Sequence, residues 1–237
     1  MYTLKTWRDP YDDGFNVCTR REITFNEGLT VLVGCNGYGK TTTLLNLKEM
    51  LRKDKIPYYM FDNLHDGGSN SLSSAIYYGN IDMACGLMCS SEGERITGNI
   101  SQVAGGLKQF LDTGNHPMNR NPFAALFDKD DEPITTNKRF LLMDAVDSGS
   151  SIDNVIELKE LFDVILEDSK KQGLETYIIV SCNEYELANG TPCMDIRNGN
   201  YINFKDYNDF KKFVLKTRKI KDERYEKINA RRKKENA

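Results

Sequence analysis

Histidine is almost missing from this chain: His65 and His116 are the only two in 237 residues. The six cysteines (Cys18, Cys35, Cys85, Cys89, Cys182 and Cys193) form no Cys-x-x-Cys pair, so no zinc quartet of ordinary spacing can be assembled. Cys35 lies inside a glycine-rich turn where a disulfide would be hard to accommodate, and all six are expected to be reduced thiols of a reducing compartment. No apolar run reaches the ~18 residues that a membrane-spanning helix needs. The opening residues Met1-Tyr2-Thr3-Leu4-Lys5 lack the apolar stretch of a signal peptide. The expected location is the cytoplasm, with no membrane contact. No internal repeat is present.

Hydrophobic residues make up 39% and charged residues 28%, enough for one real core under an ordinary polar surface. The charge is unevenly placed. Residues 211–237 carry 12 Lys/Arg against 4 Asp/Glu, a net of +8, which leaves −11 on residues 1–210 out of the overall −3. An acidic body with a basic tail fits either a solvated helix or a partner for the tail, nucleic acid or protein.

Short extended runs at Leu4 to Trp7, Phe15 to Cys18 and Ile23 to Phe25, divided by Asp-Pro and Asp-Asp-Gly turns, predict a β-rich start. The strand Leu29-Thr30-Val31-Leu32-Val33 follows. A helix over 40–54 should turn Leu44, Leu45, Leu47 and Leu51 to a core. Strands are expected at Ile56 to Phe61, Arg139 to Asp144 and Tyr177 to Ser181, with helices over 71–89, from Gly93 to about Leu111, and over 152–172. In the last of these, Ile152, Val155, Ile156, Phe162, Ile165 and Leu166 should form the apolar side, with Ser151 or Asp153 as cap and Gly173 as stop. Residues 112–138 read as a long loop or a poorly ordered excursion, Met194 to Phe204 as a hairpin and 206–235 as a charged helix. Alternating strands and helices predict an α/β fold: a mostly parallel sheet covered by helices, with an N-terminal antiparallel β-subdomain.

Two segments carry chemistry. Gly34-Cys35-Asn36-Gly37-Tyr38-Gly39-Lys40-Thr41 satisfies Gly-x-x-x-x-Gly-Lys-[Ser/Thr], with an apolar strand before it and a helix after it. Glycines there let backbone N–H groups surround phosphate oxygens, and the following helix offers its positive end. Lys40 would reach the β- and γ-phosphates, and Thr41 would ligate Mg²⁺. The second segment is Phe140-Leu141-Leu142-Met143-Asp144, an acidic residue closing an apolar strand, suited to orient water on Mg²⁺ opposite Thr41.

The run Gly-Cys-Asn-Gly-Tyr-Gly-Lys-Thr-Thr resembles the phosphate loop of ATP-binding cassette ATPases, the group that includes SMC-like and RecF-like DNA-maintenance proteins; Asn36 and Gly37 carry that likeness. The resemblance implies a P-loop NTPase fold over residues 1–204, with a helical lobe and signature at about 70–138, followed by a basic helical tail at 205–237. It implies ATP and Mg²⁺ as ligands and a head-to-tail homodimer. The nucleotide would be held by Gly34, Asn36, Gly37, Gly39, Lys40, Thr41 and Thr42, the metal by Thr41 and Asp144. Ser90-Ser91-Glu92-Gly93-Glu94 resembles the signature, whose Ser91 and Gly93 would touch the γ-phosphate of the opposite subunit; Ser91-x-x-Glu94 fits a capping box as well. Ser148-Gly149-Ser150-Ser151 resembles the D-loop, or a simple helix entry. Trp7, Tyr11 or Phe15 would stack on adenine, and Asn63 or His65 would stand for the Q-loop glutamine. Only some 35 residues separate the first helix from the signature (residues 54–89), without heptads, so long coiled-coil arms are excluded.

Two departures bear on catalysis. A typical member follows the strand aspartate with glutamate, where this chain has Ala145, and Cys182-Asn183 stands where the family places a switch histidine. Asp147 is the nearest carboxylate able to substitute as base. Loss of a general base removes ~10²–10⁴-fold of rate. The expectation is therefore slow or absent hydrolysis, with ATP acting as a switch for dimerisation. The alternatives are an active ATPase in DNA or RNA maintenance using Asp147, and a non-enzymatic ATP-dependent regulator of another protein.

Overall fold

The computed structural model describes residues 1–62, 107–114, 135–148 and 151–235. Within them the chain runs β1 (Tyr2–Lys5), β2 (Glu22–Phe25), β3 (Gly28–Val33), α1 (Lys40–Lys53), β4 (Tyr58–Asp62), a helical stretch at 107–113, β5 (Lys138–Asp144), α2 (Ile152–Lys171), β6 (Glu175–Ser181), α3 (Tyr185–Ala188), β7 (Cys193–Asp195), β8 (Asn200–Ile202) and α4 (Tyr207–Glu235). Six strands form one sheet in the order β4-β5-β6-β3-β7-β8, parallel except for the final β7–β8 hairpin. β1 and β2 pair antiparallel in a separate two-stranded sheet. The α/β class, the mostly parallel sheet and the N-terminal antiparallel piece all match the reading of the sequence.

Every residue of β5 and β6 after the first is buried, as expected of parallel strands covered on both faces. Because side chains alternate along a strand, the two faces divide the core. Val31, Val33, Leu141, Met143, Ile178 and Val180 meet α2 and the 107–113 stretch on one side. Leu32, Phe140, Leu142, Tyr177 and Ile179 meet α1 and the β1–β2 sheet on the other. Phe140 and Tyr177 stack at 4.3 Å between centroids, and Tyr2 meets Phe140 edge-on at 5.0 Å, fastening the small sheet to the large one.

Helix faces refine the expected patterns. On α1 the buried leucines are Leu44, Leu47 and Leu51, while Leu45 is exposed, since the stripe recurs every three to four residues and Leu45 lies off it. On α2 the buried stripe is Val155, Leu158, Phe162 and Ile165. Ile152 and Ile156 are 64% and 47% exposed instead of facing the core. Ser151 is the N-cap position, and Gly173, at φ 72°, ends the helix with Leu174 N donating to Ser169 O at 2.9 Å.

Residues Phe15 to Cys18 are not a strand. Asp9 Oδ1 accepts the N–H groups of Asp13, Gly14 and Phe15 at 3.0, 2.8 and 3.2 Å, so local aspartate turns take the donors that a ladder would have used. At the ends of the loop expected over 112–138, residues 112 and 113 are helical and Lys138 already belongs to β5. Residues 115–134 and the helices expected over 71–89 and from Gly93 to about 106 lie outside the described residues.

All four cysteines among the described residues, Cys18, Cys35, Cys182 and Cys193, are free and buried. Among those residues, no helix is long and apolar enough to cross a membrane.

Candidate functional site

The carboxyl ends of β3, β5 and β6 open onto the same edge of the sheet, because these strands are parallel. In open α/β sheets this edge is where ligands bind. β6 lies between β3, which carries the glycine-rich loop 34–39, and β5, which ends in Asp144.

The loop turns tightly. Gly34, Gly37 and Gly39 have φ of 152, 74 and 110°. Gly39 has no room for a side chain, since a Cβ there would come within 2.3 Å of Val17 Cγ1. It begins α1 with no side-chain cap and no acidic residue in the first turn, so the positive end of the helix is not neutralised by its own sequence. Lys40 is 7% exposed and arches back, donating from Nζ to Gly34 O at 2.8 Å and Cys35 O at 3.4 Å. Burial lowers its affinity for the proton, partly offset by Cys182, Asp147, Cys35 and Asp144. The result is a ring of backbone with a cation folded into it. Thr41 is exposed on the first turn of the helix. Thr42 is buried and shares a hydrogen bond with the Tyr11 hydroxyl.

The β5–β6 end is knit differently. Ser181 donates from Oγ to Asp144 Oδ1 and accepts the Ala145 N–H at 2.8 Å. Asp144 is buried, and its Oδ2 has no hydrogen-bond partner among the described residues. Ala145 adopts φ 54°, which bends the chain sharply out of the strand. Asp147, 1% exposed, accepts from Asn183 N at 2.6 Å, Glu184 N at 2.7 Å and Asn183 Nδ2 at 3.3 Å. Asn183 Nδ2 also donates to Ser148 Oγ at 3.0 Å. Cys182 is buried and donates to Glu184 O at 2.9 Å; burial, with Asp147 nearby, pushes its thiol well above the ordinary range. Asp147 thus ties the turn after β5 to the turn after β6, and Asn183 faces that turn.

The segment 6–18 lies against α1. Trp7 N donates to Asn46 Oδ1 at 2.8 Å, and Trp7, Pro10, Val17, Thr42 and Thr43 line a shallow groove there. Phe15 lies elsewhere, under the guanidinium groups of Arg224 and Arg231 at 5.5 and 4.9 Å from its centroid. Tyr11 uses its hydroxyl on Thr42. Of the three aromatic candidates, Trp7 alone lines the groove.

The basic C-terminal helix is not a detached tail. Phe210, Thr217 and Ile228 of α4 are buried, and Phe213, Val214 and Ile220 pack on the core. Cys35 N donates to Thr217 Oγ1 at 2.9 Å, Lys221 Nζ donates to Asn36 O at 3.1 Å, and Arg224 pairs with Asp13 at 2.7 Å. Sequence reasoning missed Thr217, Lys221 and Ser181. A polar residue closing an apolar strand was the only available signal for Ser181, and nothing local marks the other two.

Ser91, Gly93, Asn63 and His65, and the D-loop residues Gly149 and Ser150, lie outside the described residues. Among those described, no group of three or more His, Cys, Asp or Glu could hold a metal alone. A divalent cation at Asp144 would need oxygens from a ligand and water, and the unpartnered Oδ2 suits that role. The uncapped α1 terminus and the folded-in Lys40 likewise suit phosphate oxygens. No protein-family model matches this chain, and no curated protein matches its sequence.

Proposed function

We propose that this protein binds Mg-ATP at the loop 34–39 and is a P-loop protein of ATP-binding cassette type. The observation that carries this reading is Lys40: a buried ammonium folded onto the carbonyls of Gly34 and Cys35, at the uncapped start of α1 and the carboxyl edge of a parallel sheet. The amides of Gly39, Lys40 and Thr41 would hold the phosphates, Lys40 would offset part of their charge, and Thr41 and Asp144 would hold Mg²⁺ together with oxygens of the nucleotide and water. Trp7 beside Thr42 and Thr43 offers a face for the base.

ATP serves here as a ligand for assembly more than as fuel. Ala145 has no group to take a proton, and Cys182 is a buried neutral thiol. Asp147 already accepts two backbone N–H groups and one side-chain amide, which suits a positioning role better than that of a base. The assembly is a head-to-tail homodimer in which Ser91 and Gly93 of one subunit close the site of the other. The exposed Ile152 and Ile156, just after the turn at Asp147, are apolar surface available to such a contact. Lys211, Lys212, Lys216, Arg218 and Lys219 on the exposed side of α4 remain for a nucleic-acid or protein partner. A nucleic acid held there would lose affinity steeply with salt.

Trp7 is the sole tryptophan, so its fluorescence reports the site directly. Titration with Mg-ATP should change that emission saturably in the native chain and not in Lys40→Met. Sedimentation at saturating ATP should show a dimer. A chain that ignores Mg-ATP sinks the nucleotide reading, and one that binds it yet stays monomeric sinks the dimer.

A further inference from the structure

The C-terminal helix crosses the loop that the proposed function assigns to phosphate. Thr217, 2% exposed, accepts the Cys35 N–H at 2.9 Å and donates its own hydroxyl to Val214 O within the same helix at 2.8 Å, so the second bond orients the oxygen for the first, which joins helix to loop. One turn later Lys221 extends over the loop. Its Nζ lies 3.1 Å from Asn36 O, and a Cβ placed on Gly37 would be 3.5 Å from Lys221 Cδ and 3.9 Å from Nζ. Arg224, one turn further, and Arg231, nearly three turns on, grip Asp13 and Phe15.

These contacts differ in charge. Arg224 is neutralised by Asp13, whereas among the described residues no carboxylate lies within salt-bridge distance of Lys221. Its neighbours at three and four positions along the helix are Thr217, Arg218, Arg224 and Tyr225, none of them acidic. The ammonium rests on a neutral carbonyl, with the Tyr225 ring 6.0 Å away. Lys40 enters the loop from within, and Lys221 stands on its rim at Asn36 and Gly37.

We infer that Lys221 is a second phosphate-binding cation, supplied to the nucleotide in cis by the C-terminal helix. This rests on the nucleotide reading of the loop. Mg-ATP keeps net negative charge that Lys40 alone does not balance. When the nucleotide arrives, Lys221 exchanges the Asn36 carbonyl for a phosphate oxygen, and the hydrogen bond to a charged acceptor is the stronger of the two. Thr217 keeps the helix seated while the lysine moves. A basic helix that looks like a tail in the sequence becomes one wall of the binding site.

The test compares Mg-ATP and Mg-ADP affinities for the native chain, Lys40→Met, Lys221→Met, Lys221→Arg and Thr217→Val, with the thermal midpoint of each unliganded protein. Lys221→Met, which keeps the apolar stem, should weaken Mg-ATP on the order of 10–100-fold and change the ATP-to-ADP preference. Lys221→Arg should restore most of the affinity. Thr217→Val should lower the thermal midpoint and weaken both nucleotides alike. If Lys221→Met binds Mg-ATP as the native chain does, or merely copies the Thr217→Val pattern without rescue by arginine, Lys221 is a structural pin and the assignment falls alone. If the native chain and Lys40→Met both fail to bind, the nucleotide reading falls and takes this inference with it.

Discussion

The two ends of one sheet edge are built on opposite plans. At the β3 end the polar groups are only loosely engaged: three glycines in positive-φ backbone, a helix start with no side-chain cap, and a buried lysine held by neutral carbonyls. At the β5–β6 end they face one another, with Ser181 on Asp144 and Ala145, and Asp147 on Asn183 and Glu184. The first arrangement leaves the α1 terminus without a cap of its own. The second is largely satisfied without a ligand, apart from Asp144 Oδ2. If the proposed function holds, the contrast teaches that a site can keep its means of binding a phosphate while lacking the group that activates water.

The largest effect should come from giving the second end what it lacks. Ala145→Glu places a carboxylate just after Asp144 and is expected to raise ATP turnover by ~10²-fold or more, read as phosphate release under saturating Mg-ATP. Ala145 already occupies φ 54°, so the longer side chain adds little backbone strain. An unchanged rate would mean that the β5–β6 end is deficient in more than a base.

Next in size is the first end. Lys40→Met should weaken Mg-ATP by roughly 100-fold, from the loss of charge-assisted hydrogen bonds. The unliganded variant should melt at or above the native midpoint, because a buried charge with lowered proton affinity has been removed. The sign follows from linkage: a lysine whose folded pKa is lowered binds fewer protons than in the unfolded chain. Stability of the native protein therefore rises with pH between the folded value and the ordinary lysine value, and that rise should vanish in Lys40→Met. Thermal scans across the alkaline range measure both. A marked fall in the midpoint of Lys40→Met would show that the lysine is structural.

The Asp147 tie should matter for stability more than for chemistry. Asp147→Ala strands the N–H groups of Asn183 and Glu184, at a cost of about 2–4 kcal/mol and a fall in the midpoint of roughly 5–15 °C for a chain of this size. Whatever slow turnover the native protein has should persist in the folded variant. Turnover abolished at full stability would restore Asp147 as the base and blur the contrast. The smallest effect belongs to Arg224→Ala, which removes a partly exposed pair with Asp13; the change should stay within about 1 kcal/mol, with a slight loosening of the segment near Phe15 visible in hydrogen exchange.

Local sequence carried the glycine loop because its chemistry is contiguous. Gly34 to Thr41 supplies the turn, the lysine and the helix start from eight successive residues. The buried strands were equally plain, since β5 and β6 each hold four successive apolar residues, Phe140 to Met143 and Tyr177 to Val180. The errors arose where one local pattern competes with another, or with packing against the rest of the fold. Phe15 to Cys18 looks extended, yet Asp9 six residues before it captures the Phe15 N–H. Ile152 and Ile156 look like core positions, yet α2 is rotated by the pull of Val155, Leu158, Phe162 and Ile165.

What the sequence determined by itself is the class of sheet, the loop with its lysine, the carboxylate at the end of β5, and the absence of glutamate after it. These are properties of adjacent residues, governed by backbone sterics and by the two-residue and 3.6-residue periods of strands and helices. Only the tertiary structure decided what each polar group touches. Ser181 meets Asp144 because β6 slots between β5 and β3, and Lys221 meets Asn36, 185 residues away, because the apolar stripe of α4 must be covered. Burial of apolar area chooses how a helix docks without regard to sequence separation, and the charges it carries are placed as a consequence.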